Sequence, residues 1–301
     1  MIKVAIIGLD TSHSIEFPRR MQAADCPPDQ RVPGMRAVTC LRFETPFQNK
    51  KGLDERQSQL ESWGVCVTTR FEEAVADCDA IMLEINDGAY HREYFKKVAA
   101  LGKPVFLDKP LALSLGDGRA IVRLMRAHHT RVWSGSSIPF CPEVDGTRSL
   151  FTEIRRAHVF GALGDAPAGD SLVWYGVHTF EVLQRIMGPG ALSVRAIESK
   201  GSIITLADYG GGREGVVEAI RGTGIYGGRI QGLMNKDAKV VPFVCNSADA
   251  YRDILRLNKA FFEGGAIPVD MRTTFEGLAM MTAARQSIET GKAVKVRQLD
   301  A

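Results

Sequence analysis

The sequence predicts an α/β Rossmann-type doubly wound parallel sheet followed by an α+β domain with a largely antiparallel open sheet. Two observations carry this prediction. Short apolar runs alternate with helical segments over the first half of the chain, which is the pattern of βαβ units. In the second half the alternation stops, and short strands separated by glycine-rich turns follow one another. The predicted domains are therefore 1–137 and 138–301, with a C-terminal segment that packs back on the first domain.

The composition is that of an ordinary globular protein. The 301 residues are 45% hydrophobic and 24% charged, and the net charge is +3, which is too small to indicate nucleic acid or a membrane as partner. The six cysteines include no Cys-x-x-Cys pair, so we expect reduced, packed thiols. The start of the chain enters a strand too early for a signal peptide. We therefore expect a cytoplasmic protein.

The first predicted strand, Lys3 to Ile7, runs into Gly8-Leu9-Asp10-Thr11-Ser12-His13. A dinucleotide-binding fold places Gly-x-Gly-x-x-Gly at this point, with the pyrophosphate on the next helix N-terminus. Only the first glycine is present, because Asp10 and His13 stand at the second and third positions. Pro18 fits best in the first turn of a helix, so we expect that helix to begin several residues after Gly8.

Three interpretations of the loop after the first strand remain open. Thr11, Ser12 and His13 replace the lost glycines as hydrogen-bonding partners of a dinucleotide, or the loop holds no dinucleotide and Asp10 and His13 serve another ligand. A helix-capping turn without a ligand is the third interpretation, since Asp, Thr and Ser are good caps.

The second predicted strand, Arg36 to Leu41, should end near an acid that binds the ribose hydroxyls. Glu44 is the candidate acid, displaced slightly from the strand end. Arg42 equally favours a 2′-phosphate and hence NADP. Either residue is also compatible with an ordinary solvated loop.

The strand Asp79 to Ile85 ends at Asn86 and is followed by a helix that contains His91. Glu84 is unusual in such a strand because a buried carboxylate is costly unless it is paired. Glu84 therefore either faces the predicted cofactor site or points outward at the sheet edge.

The strongest candidate site follows the short apolar run Val105 to Leu107. The chain continues as Asp108-Lys109-Pro110, which places an acid and an amine at the carboxyl end of a central strand, where ligands bind in open α/β sheets. Pro110 lacks an N–H and has a fixed φ, so it ends the strand and orients the backbone of Lys109. The alternative is an ordinary surface ion pair.

In the second half, the run Trp174-Tyr175-Gly176-Val177-His178 opens a helix that continues through Glu181. Helical periodicity places His178, Glu181 and Arg185 on one face. This face is either solvated or part of a site, and histidine is the side chain best matched to proton transfer near neutral pH.

These segments resemble the Gfo/Idh/MocA family (glucose-fructose oxidoreductase, inositol dehydrogenase, rhizopine catabolism). The run from Gly102 to Ala112 is similar to the family's Glu-Lys-Pro signature, with Asp108 in place of Glu. The helix that carries His178 is similar to the family's Asp-x-Gly-x-His-x-x-Asp, with Glu181 in place of the last Asp. Trp174 stands where the first Asp is expected, so the three-residue proton relay of many members is incomplete.

The resemblance implies an NAD(P)-dependent oxidoreductase that acts on a sugar, cyclitol or related polyol and forms a homodimer or homotetramer through the second-domain sheet. The catalytic residues that it implies are Lys109, His178 and Glu181. The substrate-binding residues that it implies are Lys109, Trp174, Tyr175 and His178. The residues expected to contact NAD or NADP are Gly8, Asp10, Thr11, Ser12, His13, Arg42, Glu84, Asn86, His91, Asp108 and Lys109.

Two other functions remain open because the glycine fingerprint and the first Asp are lost. A lyase, epimerase or isomerase on a sugar derivative would use Lys109, His178 and Glu181 for proton abstraction. A catalytically degenerate sugar-binding relative would keep the fold alone. We expect no metal site, since the six histidines show no His-x-His or His-Glu-x-x-His spacing.

Overall fold

The structure, a computed structural model, describes residues 1–299 and divides into two compact units. The first unit consists of residues 1–112, 116–135 and 251–271, and the second of residues 113–115, 136–250 and the chain from 272 onward. The domain boundary placed after residue 137 stays a prediction.

The first unit contains a six-stranded parallel sheet with the strand order β3-β2-β1-β4-β5-β6. This is the order of a doubly wound dinucleotide-binding sheet, so the predicted fold of the first half is confirmed. The strands are β1 (Ile2–Ile7), β2 (Met35–Leu41), β3 (Cys66–Thr68), β4 (Ala80–Leu83), β5 (Val105–Leu107) and β6 (Val132–Ser134).

Helices connect the strands of the first unit, as parallel pairing requires. They are α1 (His13–Gln22), α2 (Lys50–Ser62), α3 (Phe71–Val75), α4 (His91–Ala99) and α5 (Leu115–His128). The central strands are apolar on both faces, and the large side chains of Phe17, Phe95, Phe106 and Trp133 are fully buried beside them. Helix α9 (Ala250–Phe262) adds Tyr251 and Phe261 to this unit from late in the chain.

Two local expectations for the first unit are corrected. Pro18 lies inside α1 rather than in its first turn, because the helix already begins at His13. The packing of α1 on the sheet, with Phe17 fully buried, outweighs the lost backbone hydrogen bond. Glu84 does not point outward at the sheet edge, since it is 0% exposed and directly follows β4.

The second unit contains a seven-stranded mixed sheet, ordered β12-β11-β7-β10-β9-β8-β13. All pairs are antiparallel except β7 with β10, so the predicted, largely antiparallel sheet is confirmed. The strands are β7 (Glu153–Ala162), β8 (Ser193–Glu198), β9 (Ser202–Asp208), β10 (Glu214–Ile220), β11 (Gly227–Met234), β12 (Asp237–Val244) and β13 (Val294–Lys295).

Helices cover one face of this sheet. They are α6 (Pro142–Ser149), α7 (Ser171–Trp174), α8 (Val177–Met187) and α10 (Met271–Thr290). Helix α8 packs so closely that a Cβ on Gly215 would lie 2.8 Å from a methyl carbon of Leu183. The opposite face is open, since β9 alternates buried and exposed residues along its length.

No helix of residues 1–299 is long and apolar enough to span a bilayer.

Candidate active site

The carboxyl ends of the strands in the first unit carry most of the predicted site residues. Strand β1 lies between β2 and β4, so the chain leaves β1 on one side and reaches β4 on the other. Such a switch point opens a crevice for ligands at this edge of a doubly wound sheet. The loop 8–13 follows β1, residues 84–87 follow β4, and residues 108–110 follow β5.

Gly8 is required by the close approach of these loops. Its φ is +110°, and a Cβ at this position would lie only 2.3 Å from the carbonyl oxygen of Glu84. Any other residue would clash with backbone and be strained. The first glycine of the fingerprint is therefore required here, as in an intact fingerprint, because two backbone segments approach closely.

Asp10 directs its charge inward rather than toward the crevice. It is 1% exposed, and its Oδ1 accepts a hydrogen bond from the Asn86 N–H at 2.8 Å while Oδ2 accepts one from the Thr45 hydroxyl at 2.7 Å. Burial raises the pKa of Asp10, and the bonds to Asn86 and Thr45 oppose that rise. The carboxylate thus joins the loops after β1 and β4, a role that its position in the fingerprint did not predict.

The remaining residues of the loop begin α1. The Thr11 hydroxyl accepts a hydrogen bond from the His13 N–H at 3.3 Å. The Ser12 hydroxyl is exposed and lies 3.1 Å from the hydroxyl of Tyr251. The Tyr251 ring also contacts the His13 ring edge-on, with centroids 5.3 Å apart.

His13, Glu84 and Asp108 form a buried cluster at the ends of β1, β4 and β5. The Nδ1 of His13 lies 2.8 Å from Oδ2 of Asp108 and 3.6 Å from Oε2 of Glu84. Both acids are 0% exposed, and His13 is 9% exposed. Residues that are far apart in the sequence thus place one nitrogen and two carboxylates together.

The cluster shifts the pKa of each member. Burial alone would lower the pKa of His13, but the Asp108 and Glu84 carboxylates outweigh it and raise that pKa to about 9. Burial raises the pKa of Glu84 to about 8, and the neighbouring charge of Asp108 adds to the rise. Burial would also raise the pKa of Asp108, but His13 and Lys109 hold it below its usual value. Near neutral pH the cluster therefore contains an imidazolium, an ionised Asp108 and a largely protonated Glu84.

Lys109 is fixed to this cluster through its backbone. Its N–H donates to Oδ1 of Asp108 at 2.8 Å, and the Lys109–Pro110 peptide bond is cis. The lysine is 5% exposed. Asp108 thus holds His13 with one carboxylate oxygen and the Lys109 backbone with the other.

Two predicted cofactor contacts have local partners within the first unit. The Arg42 guanidinium is bound to α2, donating to Asp54 at 2.5 Å and to Gln57 at 2.6 Å, so its charge is already paired. His91 is 0% exposed, and its ring nitrogens lie 2.7 Å from the Ile85 carbonyl oxygen and 3.3 Å from that of Leu111. His91 therefore joins the loops after β4 and β5, and a cofactor contact of either residue stays a prediction.

The second unit holds its own group of predicted residues around the start of α8. The ring of His178 contacts Tyr175 edge-on at 5.1 Å and Tyr226 edge-on at 5.8 Å between centroids, and Trp174 contacts Tyr175 at 5.1 Å. His178 is 8% exposed. Tyr226, which precedes β11, was not predicted, because only the pairing of β11 with β7 brings it beside α8.

Glu181 lies one turn further along α8. Its Oε2 accepts a hydrogen bond from the Ser136 N–H at 2.8 Å. The carboxylate therefore anchors the segment that follows β6. A catalytic role for Glu181 stays a prediction.

Comparisons with known proteins agree with this fold. Residues 48–136 match the sequence model of GFO_IDH_MocA, described as an oxidoreductase family with an NAD-binding Rossmann fold. A search of curated proteins gives no match.

Solved structures similar to the chain share its fold over nearly the whole length. A putative myo-inositol dehydrogenase from Sinorhizobium meliloti 1021 is 16% identical, with a TM-score of 0.78 over 99% of this chain and 100% of that one. A scyllo-inositol dehydrogenase from Lactobacillus casei, with bound NAD(H) and scyllo-inositol, is 14% identical, with a TM-score of 0.77 over 98% of this chain and 99% of that one. At such identities the likeness shows the fold alone. Residues 48–136 therefore match the NAD-binding Rossmann model of this oxidoreductase family, and the chain as a whole shares the fold of these solved dehydrogenases.

Proposed function

We propose that this chain is an NAD(H)-dependent oxidoreductase that acts on a sugar, cyclitol or related polyol. The observation that carries the proposal is the position of Lys109 two residues after the end of β5, with its N–H held by Asp108 at 2.8 Å. A backbone-anchored lysine at the ligand-binding edge of an NAD-binding type of sheet is suited to act on a substrate hydroxyl. The inositol dehydrogenases with this fold support the class of substrate.

The first unit fits a dinucleotide in spite of the altered fingerprint. Gly8 keeps the close turn, and the inward hydrogen bonds of Asp10 turn its charge away from a phosphate. The hydroxyls of Thr11 and Ser12 lie at the start of α1, where a helix favours anions. These two residues would hold the phosphates.

The dinucleotide would be NAD(H) rather than NADP(H). Recognition of a 2′-phosphate needs an available cation, and Arg42 is already paired with Asp54. When bound, the nicotinamide supplies the hydride acceptor or donor. We expect binding of NADH to be at least about tenfold tighter than that of NADPH, a difference of about 1.4 kcal/mol.

Lys109 and His178 have separate roles in the proposal. The Lys109 ammonium stabilises the alkoxide that develops on the substrate oxygen. His178 carries the proton as acid or base. The rings of Trp174 and Tyr175 present flat apolar faces to the carbon skeleton of a polyol, which suits a pocket that is mostly apolar with few polar groups.

The test begins with titration of the protein by NADH and NADPH, followed through nicotinamide fluorescence. Reduction of NAD⁺ is then measured with a panel of inositols and sugars. Lys109→Met should lower kcat by about 10²–10⁴-fold, and Lys96→Met, which changes an exposed lysine of α4, serves as its control. The proposal is wrong if neither dinucleotide binds and none is released on denaturation, or if Lys109→Met turns over within a few-fold of wild type.

A non-redox lyase, epimerase or isomerase is the second candidate. It is favoured by Trp174 in place of the expected Asp and by the burial of Asp10 and His13 at the former glycine positions. Such an enzyme would exchange a substrate C–H proton with solvent without net change in nicotinamide absorbance. Deuterium incorporation from D₂O, followed by NMR with unlabelled substrate, separates the two candidates.

We also propose that the open face of the second-unit sheet joins two copies of the chain. Ile197, Ile204 and Val244 lie on one line of paired residues across this face, and their exposed fractions are 64%, 36% and 60%. Exposed aliphatic residues in such an arrangement indicate an interaction surface. Light scattering after gel filtration should give a dimer or tetramer for wild type and a monomer for the double variant Ile197→Glu, Ile204→Glu.

A further inference from the structure

We propose that His13, Glu84 and Asp108 form a binding site for one divalent transition-metal ion of the zinc type. The three side chains offer one nitrogen and two carboxylate oxygens, and these atoms lie within 4.8 Å of one another. The ion would replace the proton of the His13 imidazolium, and its test measures metal binding rather than oxidoreductase activity.

The distances within the cluster fit a single ion. Zinc binds histidine nitrogen and carboxylate oxygen at about 2.0–2.2 Å, so two ligand atoms of a tetrahedral ion are roughly 3.3–3.6 Å apart. The Nδ1 of His13 lies 2.8 Å from the Asp108 oxygen and 3.6 Å from the Glu84 oxygen. An ion between the three atoms therefore requires side-chain shifts of less than about 1 Å.

Glu84 provides the observation that points to a ligand. It is 0% exposed, and within residues 1–299 neither of its carboxylate oxygens has a hydrogen-bond partner. The buried carboxylate of Asp10, at the same edge of the sheet, has two such partners. Buried carboxylates are normally hydrogen-bonded, closely paired or bound to a metal. The nearest cation to Glu84 is His13, 3.6 Å away and beyond hydrogen-bond distance, and a metal ion between the three side chains would bind the Glu84 carboxylate directly.

The donor set selects the class of metal. Calcium takes six to eight oxygen ligands, and magnesium keeps several waters in an octahedral shell. One imidazole nitrogen and two carboxylates suit zinc and its neighbours in the first transition series. Three protein ligands on a four-coordinate ion leave one position for water or for an oxygen of a small molecule.

The ion would connect three loops at the edge of the sheet. His13 is the first residue of α1, Glu84 follows β4 and Asp108 follows β5. The second oxygen of Asp108 holds the Lys109 N–H, so the metal would also stabilise the backbone position of that lysine.

The test uses the full chain, stripped with a chelator and then reloaded with Co²⁺ or Zn²⁺ alone. We expect one ion per chain to remain after gel filtration, with ligand-field absorption bands for Co²⁺. Saturation at about a hundredfold excess over Kd should raise Tm by on the order of 5–10 °C. None of these measurements needs the enzyme to be active, so their failure is distinct from a failure of the proposed function.

Glu84→Gln and His13→Asn each remove one ligand, and each should weaken Co²⁺ binding by more than about tenfold. Glu84→Gln replaces a carboxylate without hydrogen-bond partners by a neutral side chain of the same shape, so it preserves the fold. Two controls should bind Co²⁺ as wild type does. Asp10→Asn changes a neighbouring buried carboxylate outside the cluster, and His158→Asn changes a surface histidine that lies 3.3 Å from Glu218. The proposal is overturned if wild type retains no metal, or if Glu84→Gln binds Co²⁺ as tightly as wild type.

Discussion

The chain pairs histidine with carboxylate in two regions whose surroundings differ. In the first unit, His13 meets Asp108 at 2.8 Å, and the acid is fully buried. In the second unit, His158 of β7 lies 3.3 Å from Glu218 of β10, and about a third of each side chain is exposed. In the first unit the two carboxylates raise the pKa of His13 to about 9, and burial raises that of Glu84 to about 8. Burial, rather than the residue types, separates a candidate site from an ordinary surface pair.

The two regions should differ most in the unfolding free energy that is lost when the acid of each pair is replaced by alanine. Asp108→Ala leaves the His13 imidazolium and the Lys109 N–H without their partner, and breaking a buried pair in this way costs about 3–5 kcal/mol of unfolding free energy. Glu218 lies on the open sheet face beside Ile204, so Glu218→Ala is compared in the Ile197→Glu, Ile204→Glu background, where it should cost less than about 1 kcal/mol. Urea denaturation of the chelator-treated proteins measures both, and equal losses would contradict the contrast.

Glu84→Gln should act in the opposite direction. It removes a buried carboxyl that ionises above pH 8 at a cost to the folded state, so at pH 9 the metal-free variant should be more stable than wild type by about 1–3 kcal/mol. The measurement is urea denaturation at pH 5 and pH 9 in the presence of chelator. A variant that is less stable than wild type at pH 9 would show that Glu84 has a hydrogen-bonding partner in solution.

Both predictions depend on side-chain contacts that the sequence does not reveal. The alternation of strands and helices and the position of Asp108-Lys109 after β5 follow from local patterns, and both are found. The contact between His13 and Asp108 spans 95 positions, so no spacing rule for ligands or motifs could indicate it. The sequence raised the question of how Glu84 is accommodated, but only the strand order β1-β4-β5 supplies its neighbours.

Local sequence propensity also gave a wrong helix start where tertiary packing determines the structure. Pro18 predicted the start of a helix, yet it lies in the middle of α1. The sequence shows residue types and not their partners. It therefore did not reveal that Arg42 is paired with Asp54 or that His91 lies 2.7 Å from the carbonyl oxygen of Ile85.

The unfolding free energy of the protein should change gradually with pH. The folded-state pKa of His13, about 9, lies above its ordinary value of 6.5, so its contribution to stability is complete below pH 6.5 and is lost as pH rises through 9. Glu84, with a folded pKa of about 8, loses its contribution over pH 4.5 to 8, while Asp108 contributes throughout this range because its pKa is lowered. The unfolding free energy of the metal-free protein should therefore fall between pH 6.5 and 9.

The groups that face His13 are Asp108 and Glu84, the Tyr251 ring, and Lys109 beside the two acids. Denaturation curves at half-unit pH intervals give the slope, and His13→Asn should flatten it. A slope that is the same in wild type and variant would assign the pH dependence to other groups.

The smallest effect is expected for His158→Asn. In the Ile197→Glu, Ile204→Glu background, where no second copy covers the sheet, an exposed pair of this kind contributes about 0–1 kcal/mol. Tm and the slope of stability against pH should therefore both stay close to those of that background. A change as large as that of His13→Asn would remove the distinction between the two regions.

The interleaving of the two units has a consequence for biosynthesis. The first unit includes residues 251–271, where Arg131 stacks on Phe261 at 5.0 Å and Tyr251 covers Phe17 and His13. During translation, residues 136–250 of the second unit are synthesised before this last helix, so the helix can pack on the Rossmann sheet only after most of the second unit has been made. A fragment that ends near residue 137 would therefore lack this helix and leave the aromatic face of α1 uncovered. Such a fragment would need a chaperone, or the missing helix added as a separate peptide, to stay in solution.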